Sequence, residues 1–308
     1  MKPIHRLKSP GPFTFLLLAY ANVLLAAVPD RLAAQTQVDR RAAIDADAYI
    51  RIHNIAGTLT VIGWDRDSVA VTGTVYEPAG RDGFYFGAGG DVAKMGIWSD
   101  DATSLEPSTL EVRVPAGARV WIKTGSADVR VTGVNGGVDV SSVTGSIAVS
   151  GSPAELFAET LGGRIDIDAD TRAVRAKTAS GAIVVRGAIR DVIATSVSGN
   201  LDIEGDRFER GSFESVDGDI RYLGNVGRAS ALDFTAHSGL IDFALPADAN
   251  ADFVVGTFYG EFQDRFGVAA RVTGSRLKGQ EYRFTLGSGG GQVTVRNFKG
   301  RVVLRGKG

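Results

Sequence analysis

The chain contains no cysteine among its 308 residues, and histidine occurs only 3 times and methionine twice. The absence of cysteine excludes a disulfide-stapled small fold, a thiol nucleophile and cysteine-based zinc or iron–sulfur sites. Charge of one sign is also missing, because 34 Lys and Arg nearly balance 35 Asp and Glu. Such a chain has no general attraction for nucleic acid or for an anionic membrane, so neither is expected as a partner.

Glycine, in contrast, is abundant: the chain has 40 glycines, about twice the usual share of ~7%. They do not fall at every third position, which excludes collagen. Hydrophobic residues make up 44% of the chain, which is enough to bury a core. The question is therefore what structural role the glycines have.

The first 34 residues have the order of segments that defines a secretory signal peptide. A basic start with Lys2 and Arg6 precedes an apolar run over residues 13–28, and small residues follow before a cleavage point near Ala34. A membrane span needs ~20 residues, so an uncleaved anchor is the lesser alternative. We predict an exported protein, periplasmic, cell-surface or secreted, with no integral membrane segment after cleavage.

An internal repeat dominates the rest of the sequence. Gly145, Gly163, Gly181 and Gly199 are spaced by 18 residues each time, and the spacing then loosens through later glycines: Gly218, Gly239 and Gly260. Gly57 and Gly291 lie in similar local frames. A fixed period of this length is the signature of a stacked repeat architecture.

Each repeat is predicted to form two short strands that flank a tight turn. Val138 and Val140, like Ile147 and Val149, alternate with polar residues, as in strands with one buried face. The glycine between them is expected to supply the positive φ of the turn. Strands this short become stable when equivalent strands stack ~4.8 Å apart around an apolar interior. The prediction is an all-β solenoid with coils of 18–21 residues and almost no helix.

Two other 18-residue solenoids fit the sequence less well. A left-handed hexapeptide helix requires apolar residues at every sixth position, and the positions from 138 to 149 do not have that period. The calcium β-roll signature is only half matched at residues 162–165. A sandwich of ordinary hairpins remains an alternative for the first hundred residues after cleavage.

The predicted boundaries follow from the regularity of the repeat. Residues 35–47 are expected to be a flexible lead-in, and residues 48–304 a single β-solenoid domain. This domain is expected to have a looser first part (48–109), regular repeats (110–262) and C-terminal coils (263–304). Residues 78–91 are glycine-rich and predict an exposed loop.

Two segments carry a resemblance to a known family. Residues 110–131 begin Leu-Glu-Val-Arg-Val-Pro and are followed by Ser-Gly-x-Ile units, and residues 293–304 form a matching closing segment. With these motifs, residues 48–304 resemble the bacterial putative-adhesin family of unknown function. The resemblance implies a single-stranded right-handed β-helix. It implies no catalytic, binding or metal residue, because the family has no agreed motif for any of them.

The histidines and a group of aspartates are the candidate metal-binding residues of the sequence. His53 and His237 have no partner at metal-ligand spacing, which predicts surface or corner positions. Asp166, Asp168 and Asp170 alternate along one strand, and Asp202 is 36 residues from the first of them. We expect a solvated face neutralised by nearby arginines (Arg164, Arg175 or Arg186). Weak calcium binding is the alternative, although the glycine and glutamate of an EF-hand loop are missing.

Two further features have a functional and a structural interpretation. The rings of Trp64, Trp98, Trp121 and residues 84–86 are expected to cap the open end of the solenoid, and a sugar-binding surface is the alternative. Residues 287–291 superficially resemble a phosphate loop, but they precede a strand and lack the Lys-Ser/Thr of that loop. We expect a flexible turn there.

No convergent catalytic set emerges from the sequence, so we predict a protein that is not an enzyme and needs no cofactor or metal. The expected function is an envelope-associated binding, adhesin-like or scaffold module, with an envelope protein or a polysaccharide as partner. Its binding residues are unknown from sequence. The alternative is a polysaccharide lyase or hydrolase on a β-helix, which would need several carboxylates together on one face.

Overall fold

The computed structural model describes residues 34–77, 83–98, 106–205, 208–275 and 279–307. The expected signal peptide, residues 1–34, lies outside this part apart from Ala34. The described residues form strands and turns and contain no helix.

The strands of the first half are β1 (Ala34–Ala43), β2 (Tyr49–Asn54), β3 (Gly57–Trp64), β4 (Ser68–Glu77), β5 (Gly83–Gly89), β6 (Val92–Trp98), β7 (Ser108–Pro115), β8 (Arg119–Thr124), β9 (Asp128–Thr132), β10 (Gly137–Ser142), β11 (Ile147–Gly151), β12 (Glu155–Thr160) and β13 (Ile165–Ala169). Those of the second half are β14 (Thr171–Thr178), β15 (Ile183–Arg186), β16 (Ile189–Ser196), β17 (Leu201–Glu204), β18 (Arg210–Ser215), β19 (Ile220–Leu223), β20 (Ala231–Ala236), β21 (Ile241–Leu245), β22 (Ala251–Thr257), β23 (Glu261–Asp264), β24 (Arg271–Ser275), β25 (Gly279–Leu286), β26 (Gly291–Asn297) and β27 (Arg301–Gly306).

These strands form two large, mostly parallel sheets. In the described part of the chain, the first sheet has the order β1-β4-β7-β3-β9-β11-β13-β15-β17-β19-β21-β27-β23. The second has the order β24-β25-β22-β26-β20-β18-β16-β14-β12-β10-β8-β2-β6-β5. From β8 to β21 the chain alternates between the sheets, and we call each successive pair of strands, one per sheet, a unit. The prediction of an all-β fold is confirmed.

Residues one repeat apart pair with each other, as the 18-residue spacing predicts. Val138 pairs with Leu156, which pairs in turn with Val174. Their side chains are buried, while the residues that alternate with them along each strand face outward. The core lies between the two sheets, and it becomes aromatic toward the C-terminal units, where the buried rings are Phe213, Tyr222, Phe234, Phe243 and Phe253.

The turn glycines are required for a reason that differs from the prediction. Gly145, Gly163, Gly181 and Gly199 do not have positive φ. Instead, a Cβ atom on each would overlap the backbone carbonyl oxygen of the residue one unit earlier, which is a glycine for the last three. The column continues through later turns in the order Gly218, Gly239, Gly300, Gly260. Close stacking of consecutive turns, and not turn conformation, therefore selects glycine here.

Buried Ser and Thr hydroxyl groups stabilise these turns by hydrogen bonds to the backbone of the turn glycines. The Ser196 hydroxyl accepts a hydrogen bond from the Gly199 N–H at 2.7 Å, and Thr178 does the same for Gly181 at 3.0 Å. Equivalent bonds occur in the neighbouring units at Thr160 and Ser215. The sequence signal is a Ser or Thr three residues before the turn glycine.

Removing one of these hydroxyls should destabilise the protein measurably. Ser196 is 2% exposed, so Ser196→Ala leaves a buried N–H without this acceptor, which costs about 1–3 kcal/mol. Ser196→Thr is the matched control, because threonine fills the same place at residues 160 and 178. Urea unfolding of both variants measures the difference, and equal midpoints would contradict the role of the hydroxyl.

The C-terminal strands do not stack in sequence order. The unit formed by β26 and β27 inserts between the unit of β20 and β21 and the strands β22 and β23. In the glycine column, Gly300 thus follows Gly239, and Gly260 comes after Gly300. β22 has the antiparallel strand β25 on one edge and the parallel strand β26 on the other.

Two predicted loops are strands. The expected flexible lead-in at 35–47 is instead β1 over most of its length, and β1 pairs antiparallel with β4 at every position. Within the expected loop at 78–91, residues 83–89 form β5, which pairs with β6. Each segment pairs with a strand whose edge would otherwise be open, and this pairing stabilises an extended conformation. The glycine content of one segment and the terminal position of the other do not predict such a partner.

Candidate functional site

An apolar ridge runs along one corner of the structure. It consists of the residue that directly follows each of eight adjacent strands of the second sheet, from β10 to β22 in the strand order, so its members stack from unit to unit. The backbone N–H of Leu161 donates to the Val143 carbonyl at 3.0 Å, and the N–H of Ala179 donates to the Leu161 carbonyl at 3.2 Å. The ridge comprises Val143, Leu161, Ala179, Val197, Val216, His237, Phe298 and Phe258. Val143 is 48% exposed, Leu161 58% and Val197 52%, which is unusual for large apolar side chains in a row.

The ridge leads into a groove of about 780 Å³ at the C-terminal units. Val216, Phe258 and Phe298 line its apolar part, and the hairpin of β24 and β25 forms one wall through residues such as Gly279 and Gln280. The groove exists because β25 extends the second sheet past the ridge.

Three stacked rings form the aromatic part of the groove. The His237 and Phe298 rings are 4.9 Å apart at an angle of 18°, and Phe298 and Phe258 are 5.2 Å apart at 12°. The polar part is a row of outward residues in register across the second sheet, among them Glu214, Arg296 and Glu281. The groove can therefore receive an apolar chain beside a mixed-charge rim.

A second feature lies on the outer face of the second sheet, where two aromatic rings flank an aspartate. Trp121, Asp139 and Phe157 are consecutive in register on β8, β10 and β12. The Arg51 guanidinium carbon lies 6.0 Å from the Trp121 ring centroid, and that of Arg175 lies 5.5 Å from the Phe157 centroid. Each arginine comes from the strand on the far side of its ring. The other face of each ring is thus turned toward Asp139, and we call the space between the rings the ring slot.

The carboxylates of the ring slot have no side-chain partner. Within the described part of the chain, the side chains of Asp139 and Glu159 make no hydrogen bond or ion pair, whereas several acids elsewhere on the outer faces pair with arginines of a neighbouring unit. Such pairs are Asp191–Arg210 at 2.7 Å, Glu209–Arg190 at 2.8 Å, Glu204–Arg186 at 3.3 Å, Asp202–Arg221 at 3.5 Å and Asp242–Arg305 at 2.9 Å. Burial, and secondly the charge of Glu159, raises the pKa of Asp139 above its usual range.

The two histidines lie apart from each other. His53 is half-buried on β2, where Tyr85 Oη lies 2.8 Å from its Nδ1 and Trp121 contacts its ring edge-on at 5.4 Å. Burial, followed by the charges of Lys123 and Arg51, lowers the pKa of His53. His237 is at an exposed corner, as predicted, and belongs to the apolar ridge.

Two of the three aspartates in the strip, Asp166 and Asp170, have partners within the protein. Asp166 binds Arg164 at 2.7 Å, and Asp170 accepts a hydrogen bond from the Ala188 N–H at 2.8 Å. Asp202 lies two strands from Asp166 in register, as expected from the spacing of 36 residues. Across the described ranges, no group of three or more His, Asp or Glu side chains is arranged to hold a metal ion.

The aromatic set proposed from sequence separates into different environments. Phe84 and Phe86 pack against the core at the edge of the second sheet, in agreement with a capping role. Trp64 lies elsewhere, with its indole N–H donating to the Ser68 carbonyl at 2.8 Å, and Trp121 belongs to the ring slot. Phe157, the partner of Trp121, was missed, although its spacing of 36 residues from Trp121 equals two repeats.

Residues 287–291 form a turn before β26, as predicted. The turn is held in place, because Ser288 N donates to Asn250 Oδ1 at 2.7 Å and Gly290 N donates to Asp252 Oδ2 at 3.1 Å. The hydrogen bond from the Thr285 hydroxyl, followed by the one from the Gly290 N–H, lowers the pKa of Asp252. The segment is a linker between strands and has no feature of a phosphate site.

The fold is similar to two solved structures. A putative lipid binding protein from Parabacteroides distasonis is 12% identical with a TM-score of 0.54, over 87% of this chain and 96% of that chain. A putative adhesin from the same species is 9% identical with a TM-score of 0.52, over 89% of this chain and 98% of that chain. No protein-family model and no curated protein matches the sequence. At these identities the similarity shows the fold alone.

Among the described residues, no helix has the length and hydropathy needed to cross a bilayer.

Proposed function

We propose that this protein is an exported, non-catalytic binding module of the cell envelope, adhesin-like in character and built as a right-handed β-solenoid of the putative-adhesin type. The observation that carries the proposal is the apolar ridge that ends in the groove. A row of exposed apolar side chains is costly in water unless another molecule covers it.

The groove fits the acyl chain of an amphiphile. Its volume of about 780 Å³ lies within the range of small-molecule sites, and Val216, Phe258 and Phe298 offer an apolar lining. The part of the ridge beyond the groove (Val143, Leu161, Ala179 and Val197) offers a continuous apolar surface for the rest of the acyl chain. A structure with the same fold carries the name of a putative lipid binding protein, which supports this choice over a protein partner.

The rim of the groove suits a polar head group. Arg296 is in register between Thr235 and Gly256, and its side chain is 67% exposed. Glu214 and Glu281 lie on the same row. A head group at this rim would keep its hydration, while the tail leaves water along the stacked rings.

Binding of a fluorescent polyene fatty acid tests the proposal. Phe258→Asp places a charge in the apolar lining and should lower the affinity about tenfold or more, because burial of one aromatic side chain is worth ~1.5–3 kcal/mol. Fluorescence titration of the purified chain without residues 1–34 measures the effect.

Phe157→Asp is the matched control, since Phe157 is also a phenylalanine that is 40% exposed but belongs neither to the ridge nor to the groove. It should leave the affinity unchanged to within about twofold. Equal affinities of the Phe258 variant and the unchanged protein, or no binding of the fatty acid at all, would contradict the acyl-chain site.

The alternative of a polysaccharide lyase or hydrolase has a distinct signature. The acids singled out from sequence, Asp166 and Asp202, are paired with Arg164 and Arg221, which argues against a catalytic carboxylate pair. Release of shorter saccharides from a polysaccharide, abolished by Asp166→Ala or Asp202→Ala, would overturn the non-catalytic assignment.

A further inference from the structure

We propose that the ring slot binds a pyranose ring of a neutral polysaccharide, at a site separate from the acyl-chain groove. The slot is formed by Trp121 and Phe157 as walls, with Asp139 between them and Glu159 and Lys177 beside them, and it has a volume of about 250 Å³.

The spacing of the walls fits one flat six-membered ring. Trp121 and Phe157 lie two strands apart, which corresponds to ~9.6 Å between neighbouring backbones. A ring inserted midway would lie ~4.8 Å from each wall, which is within the range of stacked rings. Because Arg51 and Arg175 cover the outer faces of the two walls, the faces toward Asp139 are the ones left for a ligand.

The polar groups of the slot select a ligand that both donates and accepts hydrogen bonds. The side chains of Asp139 and Glu159 are acceptors without a partner among the described residues. Ser141, two residues after Asp139 on β10, is in register between Lys123 and Glu159. Lys177 and Arg175 supply donors at the same place. Sugar hydroxyls fulfil both roles, and the apolar face of the sugar ring stacks on an aromatic wall.

A simple cation fits the slot less well. The two carboxylates would attract an ammonium group, but the slot is also lined by Arg175 and Lys177. Lys123 on β8 and Arg51 on β2 add positive charge on the other side. The positive charges offset the negative ones, so the site favours a neutral ligand with many hydroxyl groups.

The unpaired acids are a cost to the folded protein. Asp139 is partly removed from water and repelled by Glu159, and its raised pKa reflects both effects. Elsewhere the same faces use arginine to neutralise such acids. Asp139 therefore destabilises the fold at a place where an arginine on a neighbouring strand could have neutralised it. We infer that Asp139 contacts a ligand there.

The experiment is calorimetric titration of the chain without residues 1–34 with soluble oligosaccharides of glucose, galactose and N-acetylglucosamine at millimolar concentrations. We expect at least one to bind. Trp121→Ala should then weaken binding about tenfold and Asp139→Asn about fivefold. The thermal midpoint of Asp139→Asn should be unchanged or higher, which would not hold for an aspartate with a structural role.

Two controls separate this site from the rest of the protein. Phe298→Ala removes an aromatic side chain of the groove that is about as exposed as Phe157, and it should leave oligosaccharide affinity unchanged. Asp202→Asn removes an arginine-paired acid of the first sheet and should also have no effect. The proposal is overturned if no oligosaccharide binds, if Trp121→Ala binds as well as the unchanged chain, or if choline binds in its place. The fatty-acid titration is unaffected by these results, so the two proposals can fail independently.

Discussion

Gly181→Ala is expected to destabilise the protein by about 3 kcal/mol, although it adds a single methyl group. The new Cβ would overlap the Gly163 carbonyl oxygen, which belongs to the backbone of the preceding turn and cannot move alone. Relief requires the two turns to separate, and the flanking turns are held in the same column. Urea unfolding followed by far-UV circular dichroism measures the loss.

The matched control is Gly137→Ala, a glycine one strand away from the glycine column at the start of β10. A Cβ there meets only the Arg119 Cγ, at the ordinary contact distance of 3.8 Å. This variant should unfold within about 0.5 kcal/mol of the unchanged protein. Similar losses of unfolding free energy in both variants would mean that the effect of removing glycine does not depend on the stacking of turns.

Phe234→Ala is expected to cost about 3–5 kcal/mol, because it opens a cavity in the aromatic part of the core. The Phe234 side chain is fully buried, and its ring centroid lies 4.7 Å from that of Phe213 and 4.7 Å from that of Phe243. Both sheets contribute to this cluster, so the loss would weaken the contact between them. The free energy of unfolding and the thermal midpoint both report it.

Phe157→Ala is the control for this variant. Phe157 is 40% exposed on the outer face of the second sheet, so its loss should change stability by less than about 1 kcal/mol. A small effect of Phe234→Ala would show that the core relaxes to fill the space, which would contradict tight packing between the sheets.

The regular middle of the fold could be predicted from the sequence. Residues 18 apart share the same environment there, so the alternation at Val138 and Val140 also holds at their equivalents in later units. The prediction was wrong about why Gly181 is needed. A tight turn and a close approach both favour glycine, and only the position of the neighbouring turn distinguishes them.

The ends of the fold could not be predicted in the same way. The pairing of β1 with β4 and the insertion of β26 beside β20 depend on which sheet edges remain open after the middle has formed. No local pattern encodes such a choice. Proximity in sequence favours β22 as the neighbour of β20. In the structure β26 lies between them, and β25 pairs with the opposite edge of β22.

Parts of the candidate sites were visible in the repeat. The ridge members Val143, Leu161 and Val197 recur at multiples of 18, and Asp139 lies midway between Trp121 and Phe157. Alignment of the repeats would have shown both rows. The unpaired state of Asp139 could not have been seen, because it depends on where the arginine side chains of neighbouring strands lie.

The insertion of β26 and β27 also sets a requirement for folding. β22 to β25 precede β26 in the sequence, yet β26 occupies the place between β20 and β22. The edge of β20 must therefore be open when β26 pairs with it, and a premature pairing of β20 with β22 would have to be undone. Growth of the stack in sequence order stops at β21, and its completion requires β26 and β27.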